Sequence, residues 1–278
     1  SFKLLWGFGW ILLPSGFLDI VWHLLSLVVT GRFYSPATLG QYTRAQEYAS
    51  LCSQNLTSII QRVTFPILSA LQDDKDRLID NYRRLIKVSM FVTCMLMIPL
   101  GAASEPLIYC LIGPQWHEAT KYLPLICCSM SLYPLHAINL NMLQVQGRSD
   151  LFLLLEIMKK IVSLIPIFVG VFVGVYWMLL VAIFTGFICF FLNSYYTGKL
   201  LNYSSLRQLK DVAPSYLLSF VVAFCIYFVK YLPLSNWSVL IIQLVIGFIV
   251  GYSLCSFRQQ EEFLEIKEII VELYKKIL

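Results

Sequence analysis

The sequence predicts an all-α, polytopic transmembrane helix bundle of about eight spans, and three observations predict it. Of 278 residues, 58% are hydrophobic and only 13% are charged, with a mean hydropathy of +0.72. Soluble domains carry about 25% charged residues, so a globular reading would leave a largely apolar surface prone to aggregation. The apolar residues fall in runs of about 20 or more, the length a helix needs to cross the hydrocarbon layer. The basic residues collect between alternate runs, as they do in membrane proteins. The same composition excludes secreted small scaffolds, disordered tails and nucleic-acid modules. Strand-like alternation is weak throughout, which speaks against a membrane β-barrel.

The runs, in order, cover residues 4–29, 45–71, 85–112, 122–145, 151–174, 176–200, 212–231 and 237–257. The first follows Ser1-Phe2-Lys3 directly, with no initiating Met and no cleavable leader, so the chain reads as a fragment of something longer. The second is the least hydrophobic and is read as a span from its length and neighbours. The third contains Pro99, which is expected to kink it. The fourth is rich in amides, and the fifth holds Glu156, Lys159 and Lys160 inside its boundaries. The last three rest on hydropathy and length. Residues 258–278 alternate Glu and Lys with apolar side chains such as Phe263, Ile266, Ile270 and Leu273, the pattern of an amphipathic helix at the interface or in the cytosol.

Placing the first span's start inside puts 17 of the 21 basic residues on the cytoplasmic side and leaves only Arg32, Arg44, Lys121 and Lys230 outside. The opposite topology inverts that ratio. Both termini of this segment are therefore expected in the cytoplasm, with the chain multi-pass in a plasma (inner) membrane.

Ionisable and polar groups within the spans mark candidate functional positions, because they are costly against lipid and face an interior or a cavity. Asp19 and His23 form an i,i+4 pair on one face of the first span. They either hold a coupling cation or lock that helix to a neighbour. In the second span Arg44, Glu47, Ser50, Gln54, Ser58 and Gln61 recur every three or four residues, with Arg62 at the inner end. One such residue serves as helix glue; six in line suggest the wall of a watery cavity. Arg44 and Glu47 can also simply pair at i+3. In the fourth span His136 and Asn139 suit sugar hydroxyls, or each other's helices. Lys159 and Lys160 suit an anionic head group, with Glu156–Lys160 as a stabilising i,i+4 alternative. Glu105, before Pro106 at the outer end of the third span, reads as a gate or a packing residue.

Other patterns carry no chemistry. Eight cysteines are scattered without CxxC spacing or a His partner, so they read as packing residues and imply no metal. No phosphate-cradling glycine loop, HExxH or nucleophile elbow occurs, so no catalytic residue and no cofactor is expected.

Four stretches resemble a known family: Leu39-Gly-Gln-Tyr-Thr-Arg-Ala-Gln46; Phe65-Pro-Ile-Leu-Ser-Ala-Leu-Gln-Asp-Asp74; Glu105-Pro-Leu107 with Ile112-Gly-Pro-Gln-Trp116; and Gly147-Arg-Ser-Asp-Leu-Phe-Leu153 with Glu156. In order and spacing they are similar to the polysaccharide biosynthesis and lipopolysaccharide O-antigen exporters of the multidrug/oligosaccharidyl-lipid/polysaccharide (MOP) flippase superfamily. The resemblance implies two six-helix lobes plus a terminal helix pair. This chain would then supply the second lobe (1–200), the terminal pair (201–257) and a cytoplasmic amphipathic helix (258–278), with the N-terminal lobe of the same chain as a partner. It further implies a non-enzymatic flippase that moves an undecaprenyl-diphosphate-linked oligosaccharide across the bacterial inner membrane by alternating access. Membrane lipid and polysaccharide assembly proteins would be further partners, and nucleic acid none. Arg44 matches the family's tyrosine-x-arginine position. Alternatives are a cation-coupled multidrug exporter of the same superfamily, supported by Asp19–His23 alone, and a membrane-embedded glycosyltransferase or polymerase. The latter needs a large outer loop, and no outer loop here exceeds roughly 15 residues between spans of that length.

Overall fold

The computed structural model describes residues 31–257, 262–264 and 267, and every regular element among them is helical. Helix α1 (Pro36–Ala70) is started by Ser35, whose side chain accepts from the Thr38 N–H, with Pro36 in the first turn. It begins well before the expected residue 45. A serine–proline start signal opens a helix whose first turns are polar, and hydropathy does not register it. At 35 residues it is about 52 Å long, more than the hydrocarbon thickness. A short turn leads to α2 (Lys75–Ala102), capped by the Asp74 side chain accepting from the Arg77 N–H. Pro99 sits inside α2, and the break falls beyond it, at Ala103, before the short α3 (Ser104–Leu111). The expected third span is thus two helices.

Gly113, at φ +97, turns the chain into a 3-10 turn (Pro114–Trp116) and α4 (His117–Met130). Helix α5 (Tyr133–Val145) follows after a break at Ser131–Leu132, where Pro134 removes a helical N–H. Helices α6 (Ser149–Val173) and α7 (Val175–Leu201) are joined by Gly174 alone, at φ +115. Outside the spans, Arg148 forks onto Asp150 at 3.0 and 2.8 Å, and these hydrogen bonds hold the Asp150 carboxyl below the usual carboxylate range. Helix α8 (Ser205–Tyr227), a 3-10 turn (Phe228–Tyr231) and α9 (Asn236–Phe257) complete the order.

Five helical stretches among the described residues are long and apolar enough to cross a membrane: Lys75–Ala102, Pro114–Val145, Val175–Leu201, Ser205–Tyr231 and Asn236–Phe257. Helices α1 and α6 have the length, but α1 carries the polar row and α6 carries Glu156, Lys159 and Lys160.

Two larger apolar cores lie at opposite ends of α1 and α2, and a smaller one gathers Phe91, Leu218 and Cys255. Of the larger two, one gathers Leu68, Tyr82, Ile86, Ile138, Phe190 and Val212; the other gathers Ala45, Ala49, Met97, Ile108, Leu123 and Met178. Helix α6 packs chiefly along α7, and α8 along α2. Residues 262–264 are helical, with Lys87 Nζ 3.9 Å from Glu262 and the Phe263 ring edge-on to Tyr252 at 5.6 Å. The rest of the expected amphipathic segment, and the whole first span with Asp19 and His23, lie outside the described residues.

Candidate functional site

The face that α1 buries decides what it leaves open. Ala45, Ala49, Ser53 and Thr57 recur every four residues and are buried. Small side chains let helix backbones approach closely, and Ser53 Oγ donates to the Met130 carbonyl of α4 at 3.0 Å. With this face committed, the row predicted from the sequence turns outward. Arg44, Glu47, Gln54 and Arg62 are exposed, and Ser50, Ser58 and Gln61 are half-exposed. It shares that open side with apolar Leu51 and Phe65.

At the N-terminal end of the row, Arg44 Nη1 donates to Glu47 Oε2 at 2.8 Å, and its guanidinium lies 5.5 Å from the centre of the Trp116 ring. Both partners of the ion pair stay about half open, at 49% and 59%. Glu47 holds one edge of the fork; the remaining N–H groups have no partner among the described residues. Such a fork can still grip a phosphate or carboxylate.

Two of the stretches quoted above meet here, although about 70 residues separate them in sequence. Gln41 Nε2 donates to the Gln115 carbonyl at 2.8 Å, and its Oε1 accepts from the Ala119 N–H at 3.0 Å. Gly40 lies beneath the Trp116 ring, close enough that an added Cβ would sit 3.6 Å from it. Gln41 and Gly40 thereby fix the platform against which Arg44 rests. Sequence reading had Trp116 and Gln41 as members of motifs without a role, because only the fold brings them together.

The other candidates divide into separate places. His136 Nδ1 is 3.1 Å from the Asn193 amide nitrogen of α7. Asn139 is wholly buried, and its amide links α5 to α2, α7 and α8. Glu156 and Lys159 pair at i,i+3 on α6, both largely covered. Lys160 is half-exposed one position on. Glu105 lies in the first turn of α3, 3.8 Å from Lys230 of the turn before α9. None of these adjoins Arg44 directly. The eight cysteines are free thiols, and no cluster of metal-ligating side chains occurs among the described residues.

Residues 1–121 match a family profile described as polysaccharide biosynthesis protein. A membrane protein of the capsule (cps) region of Klebsiella pneumoniae is 25% identical over 228 residues, 82% of this chain and 45% of its own length. The lipopolysaccharide biosynthesis protein WzxC of Escherichia coli K12 is 25% identical over 146 residues, 52% of this chain and 30% of its own. The chain is thus similar to polysaccharide biosynthesis and export proteins. Among solved structures, the lipid II flippase MurJ in an inward closed conformation superposes with a TM-score of 0.69 at 17% identity, over 85% of this chain and 52% of that one. That likeness supports the all-helical membrane fold. The chain thus spans about half the length of its first-matched relatives or less.

Proposed function

We propose that this chain forms one side of a flippase that carries an undecaprenyl-diphosphate-linked oligosaccharide across the bacterial inner membrane for surface polysaccharide biosynthesis. The outward polar row of α1, headed by Arg44, carries this reading. Exposed Arg, Glu and Gln at membrane depth are poorly tolerated against lipid tails, so the row faces a watery path or a second protein surface. The substrate's tail stays in the bilayer while its diphosphate and sugars cross. Fixed cations and amides lower that barrier by replacing the water the head group loses. Arg44 supplies a fork suited to diphosphate, and Gln54 and Gln61 offer donors and acceptors suited to hydroxyls.

In this reading residues 1–200 are the second lobe and 201–257 a terminal pair. An N-terminal lobe of the same protein supplies the facing side, and both termini of the segment lie in the cytoplasm. The two lobes rock about a site near the midplane, giving alternating access. His136, Lys159 and Lys160 then act from outside the α1 row. Nothing in this mechanism requires covalent chemistry or a cofactor.

The test replaces Arg44 in the natural whole protein with Ala and, separately, with Lys, at matched expression. Arg44→Ala is expected to cut surface polysaccharide at least ten-fold and to leave lipid-linked repeat units on the inner leaflet, with Arg44→Lys intermediate. Wild-type transport in both variants would remove Arg44 from the path.

A further inference from the structure

A second charged feature lies at the opposite end of α1 and α2 from Arg44, where the start of α2 meets the α7–α8 turn and the start of α8. A cleft of about 380 Å³ opens there, lined in part by Asp80 and Arg83 of α2, Asn202 and Tyr203 of the turn, and Arg207 and Lys210 of α8. The charges lining it are not equivalent. Arg83 is engaged: its Nε and Nη2 donate to the two oxygens of Asp211, at 2.5 and 2.7 Å. Tyr203 donates its hydroxyl to the same carboxylate at 2.6 Å. That pair is internally balanced.

Arg207 and Lys210 are exposed and have no carboxylate partner among the described residues; Arg207 makes only a 3.4 Å contact to the Asn202 carbonyl. They stand one turn apart at the beginning of a 23-residue helix that has no acidic residue in its first turn. The Ser204 side chain caps that helix by accepting from the Arg207 N–H at 3.4 Å, but no carboxylate offsets its positive end in the first turn. Asn202 holds the turn in the left-handed region at φ 53, which brings the start of α8 back against α2. Asp80 is the one lining carboxylate without an ion-pair partner among the described residues.

We propose that this cleft binds a phosphate group, presented by the head of an anionic membrane lipid. Two unshared cations, a helix start with no carboxylate in its first turn and a roomy cleft suit a phosphodiester. A lipid source fits the position, where the polar ends of two apolar spans meet and Leu206, beside Arg207, is 66% exposed as a surface for an acyl chain. Basic pockets between spans at the head-group level are where such lipids bind. The site is separate from the α1 row and does not depend on the transport reading.

The natural whole protein, delipidated in detergent, is titrated with phosphatidylglycerol, with phosphatidylcholine and with inorganic phosphate, and bound ligand is read by native mass spectrometry. Phosphatidylglycerol is expected to bind over phosphatidylcholine, and R207Q/K210Q to weaken it by about ten-fold or more. Asp80→Asn is expected to strengthen it, a gain that misfolding cannot produce. If inorganic phosphate binds as tightly with the same dependence on Arg207 and Lys210, the phosphate site stands and its ligand is a soluble anion. Unchanged phosphatidylglycerol binding in R207Q/K210Q, with thermal unfolding as in the wild type, overturns the proposal. So does equal binding of the two lipids.

Discussion

The Tyr82 hydroxyl on α2 donates to Asn139 Oδ1 on α5 at 2.9 Å, and Thr197 of α7 donates to the same oxygen at 2.6 Å. The Asn139 amide nitrogen donates in turn to Gln208 Oε1 of α8 at 3.0 Å and to the Leu135 carbonyl at 2.8 Å. All four side chains are 0% exposed. One amide therefore ties four helices together beside the core of Leu68, Tyr82 and Val212. Asn139→Leu takes the acceptor from the Tyr82 hydroxyl and the donor from Gln208 Oε1, while Thr197 keeps backbone acceptors at 3.2 and 3.3 Å. The substitution is expected to cost about 2–3 kcal/mol. Tyr82→Phe removes one donor and keeps the rest, for about 1 kcal/mol or less. Thermal unfolding of the detergent-solubilised protein measures both. Equal losses would mean that Asn139 is not the hub.

Asn139 also shows where sequence reading stops. Its amide was legible as a polar group that needs a partner at membrane depth, but a sugar hydroxyl and a tyrosine hydroxyl satisfy it equally. Its partners lie 57, 58 and 69 residues away. The α1 row was legible because its period is that of a single helix, and local periodicity survives folding. The partition of α1 into a small buried face and an open polar face was half legible, since Ala45, Ala49, Ser53 and Thr57 carry their own four-residue repeat. The breaks at Ala103 and Ser131–Leu132 were hidden, because hydropathy runs through them unchanged. The Arg44–Trp116 stack needed the Gly113 turn to carry Trp116 back over Gly40.

The small face of α1 makes a sharp stability prediction. Ala49 is fully buried in the core that also holds Met97, Leu123 and Met178. Ala49→Leu forces α1 away from its neighbours and is expected to destabilise by about 1–3 kcal/mol through overpacking. Leu51→Ala, on the open side at 61% exposure, should change stability by less than about 0.5 kcal/mol. Paired unfolding measurements on the two variants read the difference. Comparable losses would mean that α1 buries a different face.

Gln41 should matter through the Trp116 platform. Its two hydrogen bonds hold the start of α1 to Gln115 and Ala119. Gln41→Ala loses both, for about 1–2 kcal/mol, and loosens the surface under Arg44. Transport is expected to fall several-fold, with Trp116→Phe milder because it keeps an aromatic face for the guanidinium. Full transport by Gln41→Ala, at wild-type expression, would detach the platform from function.

The Arg83–Asp211 fork joins α2 to the start of α8, so it tests how firmly the terminal pair is fastened to the rest. Arg83 is half exposed while Asp211 is largely covered. Solvent screening limits the coupling to about 1 kcal/mol in a double-mutant cycle of Arg83→Gln and Asp211→Asn. Asp211→Asn alone should cost more than Arg83→Gln, because it also withdraws the acceptor of the Tyr203 hydroxyl. The reverse order in unfolding experiments would place the main loss on the arginine side.

Glu105 distinguishes a gate from a fastener. Its carboxylate lies 3.8 Å from Lys230 Nζ, which also donates to the Tyr227 hydroxyl at 2.9 Å and sits 4.1 Å from the centre of that ring. Through Lys230, α3 is held to the turn between α8 and α9. A fastener is lost from either side alike. Glu105→Gln and Lys230→Met should then lower stability by similar small amounts, up to about 1 kcal/mol for a pair this open, and the double variant should be little worse than either. A gate carboxylate behaves differently: Glu105→Gln would abolish transport while Lys230→Met left it intact. Transport and unfolding measured on the three variants separate the two cases, and the geometry predicts the first.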